Sequence, residues 1–149
     1  MKQAELVAFL REHKWAVAAT VSPSGKSQSA LIGFAVNEKV ELLFDTLGSS
    51  RKIANLRVNP SISLVIGGWL PGDERTVQYE GTASFPSGEE LAELQSVYFQ
   101  VFPEGQSRRS LPGITYVRVQ PSWARFSDFG GSQPRIHEFS FGGARGHHA

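Results

Sequence analysis

The sequence contains no cysteine. Disulfides, thiolate metal centres and cysteine nucleophiles are therefore all excluded. It has almost no net charge either: 15 Lys and Arg stand against 14 Asp and Glu, a formal +1. Whole-chain electrostatics gives no drive toward nucleic acid or an anionic membrane, so any anion site must be a local cluster. No apolar run is long enough to cross a bilayer, and the opening MKQAELVAFLREHK lacks the apolar core of a signal peptide. These absences predict a soluble, cytoplasmic protein with no nucleic-acid and no membrane partner. Metal-ligand spacing is also missing. His13, His137 and the pair His147-His148 share no element, and no metal site is expected. Neither Gly48-Ser49 nor Gly131-Ser132 forms a Gly-x-Ser-x-Gly elbow, which argues against a serine hydrolase. No Gly-x-Gly-x-x-Gly leads a strand into a helix, so there is no Rossmann site.

What is present is an ordinary globular balance. With 149 residues, 40% apolar and 19% charged, the chain suits one domain with a real core. Leu6, Phe9, Leu10 and His13 follow helical spacing and predict a helix over 3–13. Strands follow at 15–21, 27–36 and 40–45, separated by turn signals at Pro23-Ser24-Gly25-Lys26 and Asn37-Glu38-Lys39. Ser49 or Ser50 can cap a second helix carrying Ile53, Leu56 and Val58, which Asn59-Pro60 stops. Strands are predicted at 61–66 and 76–85. A third helix opens with the capping-box pair Ser87 and Glu90 and buries Leu91, Leu94 and Tyr98. A sixth strand is predicted at 114–119, extending toward Phe126. The expected class is mainly β, a six-stranded antiparallel barrel with flanking helices, because closure removes sheet edges. One domain over 1–140 and a Gly-rich tail over 141–149 complete the expectation. Trp15, opening a strand, is expected in the core; Trp69, in a Gly-Pro loop, suits a pocket rim or a contact between copies.

The strongest chemical signal is Gly48-Ser49-Ser50-Arg51-Lys52. Two hydroxyls and two cations stand where a strand passes into a helix. A helix N-terminus offers unpaired N–H groups and a positive dipole end. Arginine forks two phosphate oxygens and lysine adds a mobile point charge. This is a phosphate cradle in outline. A capped surface helix with two solvated cations explains the pentapeptide alone equally well.

The wider context resembles a known family. The stretch Leu43-Phe44-Asp45-Thr46-Leu47-Gly48-Ser49-Ser50-Arg51-Lys52 is similar to the FMN phosphate segment of the pyridoxamine 5′-phosphate oxidases. Asn59-Pro60-Ser61-Ile62-Ser63-Leu64 resembles the strand entry that follows it there. Arg75-Thr76-Val77-Gln78-Tyr79-Glu80-Gly81 resembles the next long strand, and Arg135-Ile136-His137-Glu138 the C-terminal Arg-x-His-acid motif. The four segments occur in the family's order. The resemblance implies an FMN-binding split barrel in a two-fold homodimer, with flavin at the interface. It implies that Ser49, Ser50, Arg51 and Lys52 hold the phosphate. Thr46, Thr76 and Gln78 would line the cleft, with Leu31, Ile32 and Gly33 against the isoalloxazine edge and Phe129 as aromatic neighbour. Tyr98, Arg135 and His137 would meet a small-molecule substrate.

Departures from the family pattern are concentrated on the substrate side. Two family cations on the second strand fall on Ser27 and Ile32. The arginine expected one turn after Tyr98 falls on Phe102, and the last arginine of the C-terminal motif on Phe139. The expected activity is that of an FMN-dependent oxidoreductase whose substrate need not be pyridoxine phosphate. The alternative is a non-catalytic flavin, deazaflavin or haem binding or sensing protein on the same barrel.

Overall fold

Tight turns set the first hairpin. The computed structural model describes residues 1–142. α1 (Gln3–Arg11) leads into β1 (Trp15–Val21), which pairs antiparallel with β2 (Ser27–Gly33), Val17 facing Leu31. Gly25 makes the turn at φ +86°, and Ser22 accepts both the Gly25 and Lys26 N–H groups. At Phe34 the chain turns a corner. The Phe34 N–H still bonds the Lys14 carbonyl, but β3 (Ala35–Val36) pairs with β4 (Leu42–Leu47). The single strand expected over 27–36 is thus two strands with different partners.

The next strand begins at Leu42 rather than Val40. Val40 has φ +63°, which no strand accommodates. A β-branched residue there costs of order 1–3 kcal/mol. Its side chain is wholly buried and its carbonyl accepts the Tyr79 hydroxyl at 2.8 Å, so tertiary contacts hold the turn.

α2 (Arg51–Val58), β5 (Ser61–Gly67) and β6 (Arg75–Ser84) follow, then α3 (Gly88–Val101), the short α4 (Gly105–Arg108), β7 (Ile114–Asp128) and β8 (Arg135–Ser140). The sheet runs β2-β1-β5-β6-β7-β4-β3, antiparallel throughout, with β8 beside β7. Since β3 continues β2, the path curls back on itself as a six-strand split barrel. Fifteen-residue β7 serves three partners: its first half pairs with β4, its second with β8, and most of its length with β6. A bulge at Glu80–Gly81 opposite Pro121 lets it bend. The Arg135–Ser140 segment, expected to meet a substrate through Arg135 and His137, is a strand paired with β7.

The main core lies inside the curl, closed by Leu6, Phe9 and Leu10 of α1 and by Ile53 and Leu56 of α2. A second, smaller core under α3 packs Leu43, Leu94, Tyr98, Phe99, Phe102 and Tyr116. Several expectations change here. α1 ends at Arg11, and His13 is buried in the following turn. Ser87 is the N-cap residue of α3 but its hydroxyl makes no cap bond; Glu90 instead pairs with Arg118. Trp15 is half exposed on the outer face of β1, not in the core. Phe141, placed with the tail, bonds Ser122 through its N–H and stacks on Phe139. The rest of that tail, with His147-His148, lies outside the described residues. Among the described residues no helix is long and apolar enough to cross a membrane.

Candidate functional site

The β4–α2 junction builds the cradle. Gly48 allows the turn: its N–H bonds the Gly113 carbonyl at 2.6 Å, and a Cβ there would meet Thr115 Oγ1 at 2.9 Å. Ser50 is the N-cap residue, in extended conformation, yet its hydroxyl makes no cap bond. Its Oγ is buried with no hydrogen-bond partner. Such an atom costs about 1–3 kcal/mol unless something binds it. The orphan N–H groups of the first turn lie beside it. Arg51 and Lys52 share one concavity with Ala18, Thr20, Gln28, Ser29 and Ala30, a space of about 140 Å³. No carboxylate lines it, and neither cation forms an ion pair among the described residues. An orphaned hydroxyl, two uncommitted cations and a positive helix end make the donor set of an anion site, and they fit a phosphate. Ser49 is exposed, and Thr46 is half-buried on β4 four residues before Ser50.

On the face of the β1–β2 hairpin opposite the cradle's Ala18, Thr20, Gln28 and Ala30, the sheet is apolar. Leu31, Val17 and Val65 stand in register on β2, β1 and β5, and all three are exposed, Leu31 at 65%. Trp15 extends the row next to Gly33. A Cβ on Gly33 would meet the Phe102 ring at 2.8 Å and the Trp15 ring at 3.3 Å, so only glycine fits there. Ile32 differs from its neighbours: at 5% exposed it belongs to the barrel core, on the opposite face from Leu31.

Of the other expected residues, Gln78 stands directly opposite Val65 and adjoins this row, while the rest lie farther along the sheet. Thr76 and Gln78 lie on β6, Phe129 is half exposed just after β7, and Arg135 and His137 are on β8. Three further strands, β5, β6 and β7, separate β8 from the β1–β2 hairpin, so the chain does not gather both groups into one pocket. Arg135 is bound to Asp128 at 2.8 Å. His137 faces α1 in a cleft with Glu5, Glu12 and Arg75, its Nδ1 3.4 Å from the Met1 amine.

Tyr98 is committed elsewhere. Its hydroxyl donates to Asp45 Oδ1 at 3.0 Å, while Arg108 Nη2 donates to Asp45 Oδ2 at 3.2 Å. Burial, and then the Asp45 carboxylate, raise the Tyr98 pKa and keep the hydroxyl protonated. Phe102 packs between Tyr98 and Trp15 at ring distances of 5.0 and 6.0 Å. A carboxylate and an aromatic wall thus occupy the neighbourhood where the resemblance puts substrate-phosphate contacts.

Sequence reasoning missed Thr20, Gln28 and Asn55. Asn55 is buried on α2 and its amide bonds both Thr20 Oγ1 and Gln28 Oε1 at 2.9 Å. The available signal was an asparagine between core-facing Ile53 and Leu56.

The fold has counterparts. A family profile described as pyridoxamine 5′-phosphate oxidase matches residues 3–128. A haem-binding protein from Mycobacterium smegmatis superposes with TM-score 0.79 at 16% identity, covering 94% of this chain and 58% of that one. HutZ, the haem storage protein from Vibrio cholerae, gives 0.69 at 19% identity, covering 94% and 95%. A pyridoxamine 5′-phosphate oxidase-related, FMN-binding protein from Nostoc punctiforme gives 0.66 at 13% identity, covering 93% and 94%. At these identities the structural likeness shows the fold. A search of the curated proteins finds no match.

Proposed function

Because the chain belongs to the pyridoxamine 5′-phosphate oxidase family, we propose that it binds FMN through Ser49, Ser50, Arg51 and Lys52 and serves as an FMN-dependent oxidoreductase. The observation that carries this reading is the buried, unpartnered Ser50 Oγ at the N-cap of the helix whose first residues, Arg51 and Lys52, line the concavity in no ion pair. FMN, when bound, supplies the hydride or electron transfer; the protein supplies charge, a flat wall and orientation. Arg51 and Lys52 neutralise the phosphate. Leu31 and Gly33, on the other face of β2 from Gln28 and Ala30, would offer a flat apolar edge to the ring, with Thr46 on β4 four residues before Ser50.

The remaining residues complete the site only with a second copy of the chain. The exposed row Trp15, Val17, Leu31 and Val65, with Gln78 beside Val65, suits a homodimer contact, and Thr76, Phe129, Arg135 and His137 would then be offered from the partner. The substrate is a small molecule without a phosphate at the Tyr98 position. Asp45 takes both the Tyr98 hydroxyl and the Arg108 guanidinium, so neither is free for a substrate phosphate, while Phe102 gives no charge. A second reading places haem in the same cleft, since a broad apolar row accepts any flat ring system.

Binding titrations with FMN and riboflavin test the first reading. Wild type should prefer FMN. Arg51→Ala should weaken FMN by about 10- to 100-fold, the loss of one charge-assisted contact of ~1.5–3 kcal/mol, and leave riboflavin unchanged. Equal affinity for the two flavins, or a Soret band with no flavin spectrum, would contradict it.

A further inference from the structure

The cradle lacks one family cation, where Ser27 stands, yet it is not simply weaker. Gln28, the next residue, lines the same concavity as Arg51 and Lys52. Its position is not left to chance. Asn55 Nδ2 donates to Thr20 Oγ1 and to Gln28 Oε1, both at 2.9 Å. An amide nitrogen has two hydrogens, and these two bonds use both. Asn55 and Thr20 are buried, so both bonds are shielded from water, and in both the Asn55 amide nitrogen is the donor. With its oxygen held by Asn55, Gln28 keeps its NH₂ group uncommitted. That NH₂ makes no hydrogen bond among the described residues. Ala18 and Ala30, small residues flanking it, leave the space open.

Resting on the phosphate reading above, we infer that Asn55 is a positioning residue that turns the Gln28 NH₂ into the cradle as a neutral donor to the FMN phosphate. Gln28 then takes the place of a charged contact. A neutral donor adds directional hydrogen bonding without adding charge, so the site reads the phosphate by geometry as well as by attraction. Asn55 itself touches no ligand. Its effect passes through the orientation of one amide.

The test is a double-mutant cycle read as the ratio of riboflavin to FMN dissociation constants, which isolates the phosphate. Gln28→Met, checked for folding by apo thermal melting, should lower the ratio roughly fivefold, the equivalent of one neutral hydrogen bond. Asn55→Leu should lower it by a similar factor, with apo thermal melting confirming a folded protein. The double variant should be no worse than either single one. A merely structural Asn55 would change melting and leave the ratio alone. An unchanged ratio in Gln28→Met, or losses that multiply in the double variant, would overturn the relay while leaving FMN binding intact. A wild type without preference for FMN would overturn both readings together.

Discussion

At the residue scale, His13 carries the clearest pH consequence. It is buried between Phe9 and Trp69, at ring distances of 4.9 and 6.0 Å, and its Nε2 has no partner. Burial lowers its pKa below the ordinary 6.5, against the opposing pull of Glu12 and Asp73, with Arg75 acting in the same direction as burial. The folded state therefore refuses a proton that the unfolded chain accepts. Above pH 6.5 both states are neutral and His13 contributes no pH dependence. As the pH falls below 6.5 the unfolded state alone gains the proton, and stability drops until the folded pKa is passed. Denaturant titrations of wild type and His13→Phe over that range should show a steeper loss for wild type. Parallel curves would show that His13 does not resist protonation. Ser50 illustrates the same physics in a functional place: a buried polar atom without a partner marks either a cost or a ligand.

At the element scale, the bend of β7 depends on Gly81. A Cβ at that position would run into the Gln120 carbonyl oxygen and approach Val119 Cγ1 at 2.8 Å. Both obstacles are buried or part of the backbone, so relief requires the bulge to shift. Gly81→Ala should cost about 1–3 kcal/mol in equilibrium unfolding. An unchanged midpoint would mean that the bulge is soft. The elements themselves were largely legible in the sequence, because alternation in Ser61–Ile66 and the turn at Pro23–Lys26 are local signals. What was not legible came from tertiary decisions. The break at Phe34 reflects a change of strand partner, and no period marks it. Val40 takes a left-handed conformation that its β-branched side chain disfavours, held by burial and by Tyr79. Trp15 faces outward although its composition suits a core. For the site, Ser50, Arg51 and Lys52 were readable as a helix-start cradle. Gln28 and Asn55 were not, because their meaning lies in a hydrogen bond between residues 27 positions apart.

At the scale of the whole molecule, two observations point the same way. The chain exposes an ordered apolar row, Leu31–Val17–Val65 with Trp15, on three adjacent strands. Soluble surfaces rarely carry such a row without a partner. The cradle end of the sheet and the Phe129–His137 end are also too far apart along it to serve one ligand in one chain. A two-fold pairing through the row answers both, and isologous contact is the commonest symmetry for such an interface. FMN affinity and self-association should therefore be linked, each strengthening the other. Sedimentation of the purified protein with added FMN, followed at the flavin absorbance, tests this most directly. The expected result is flavin moving with a species of twice the chain mass, one FMN per chain. Flavin left behind as free ligand, or carried by a single chain, would contradict it.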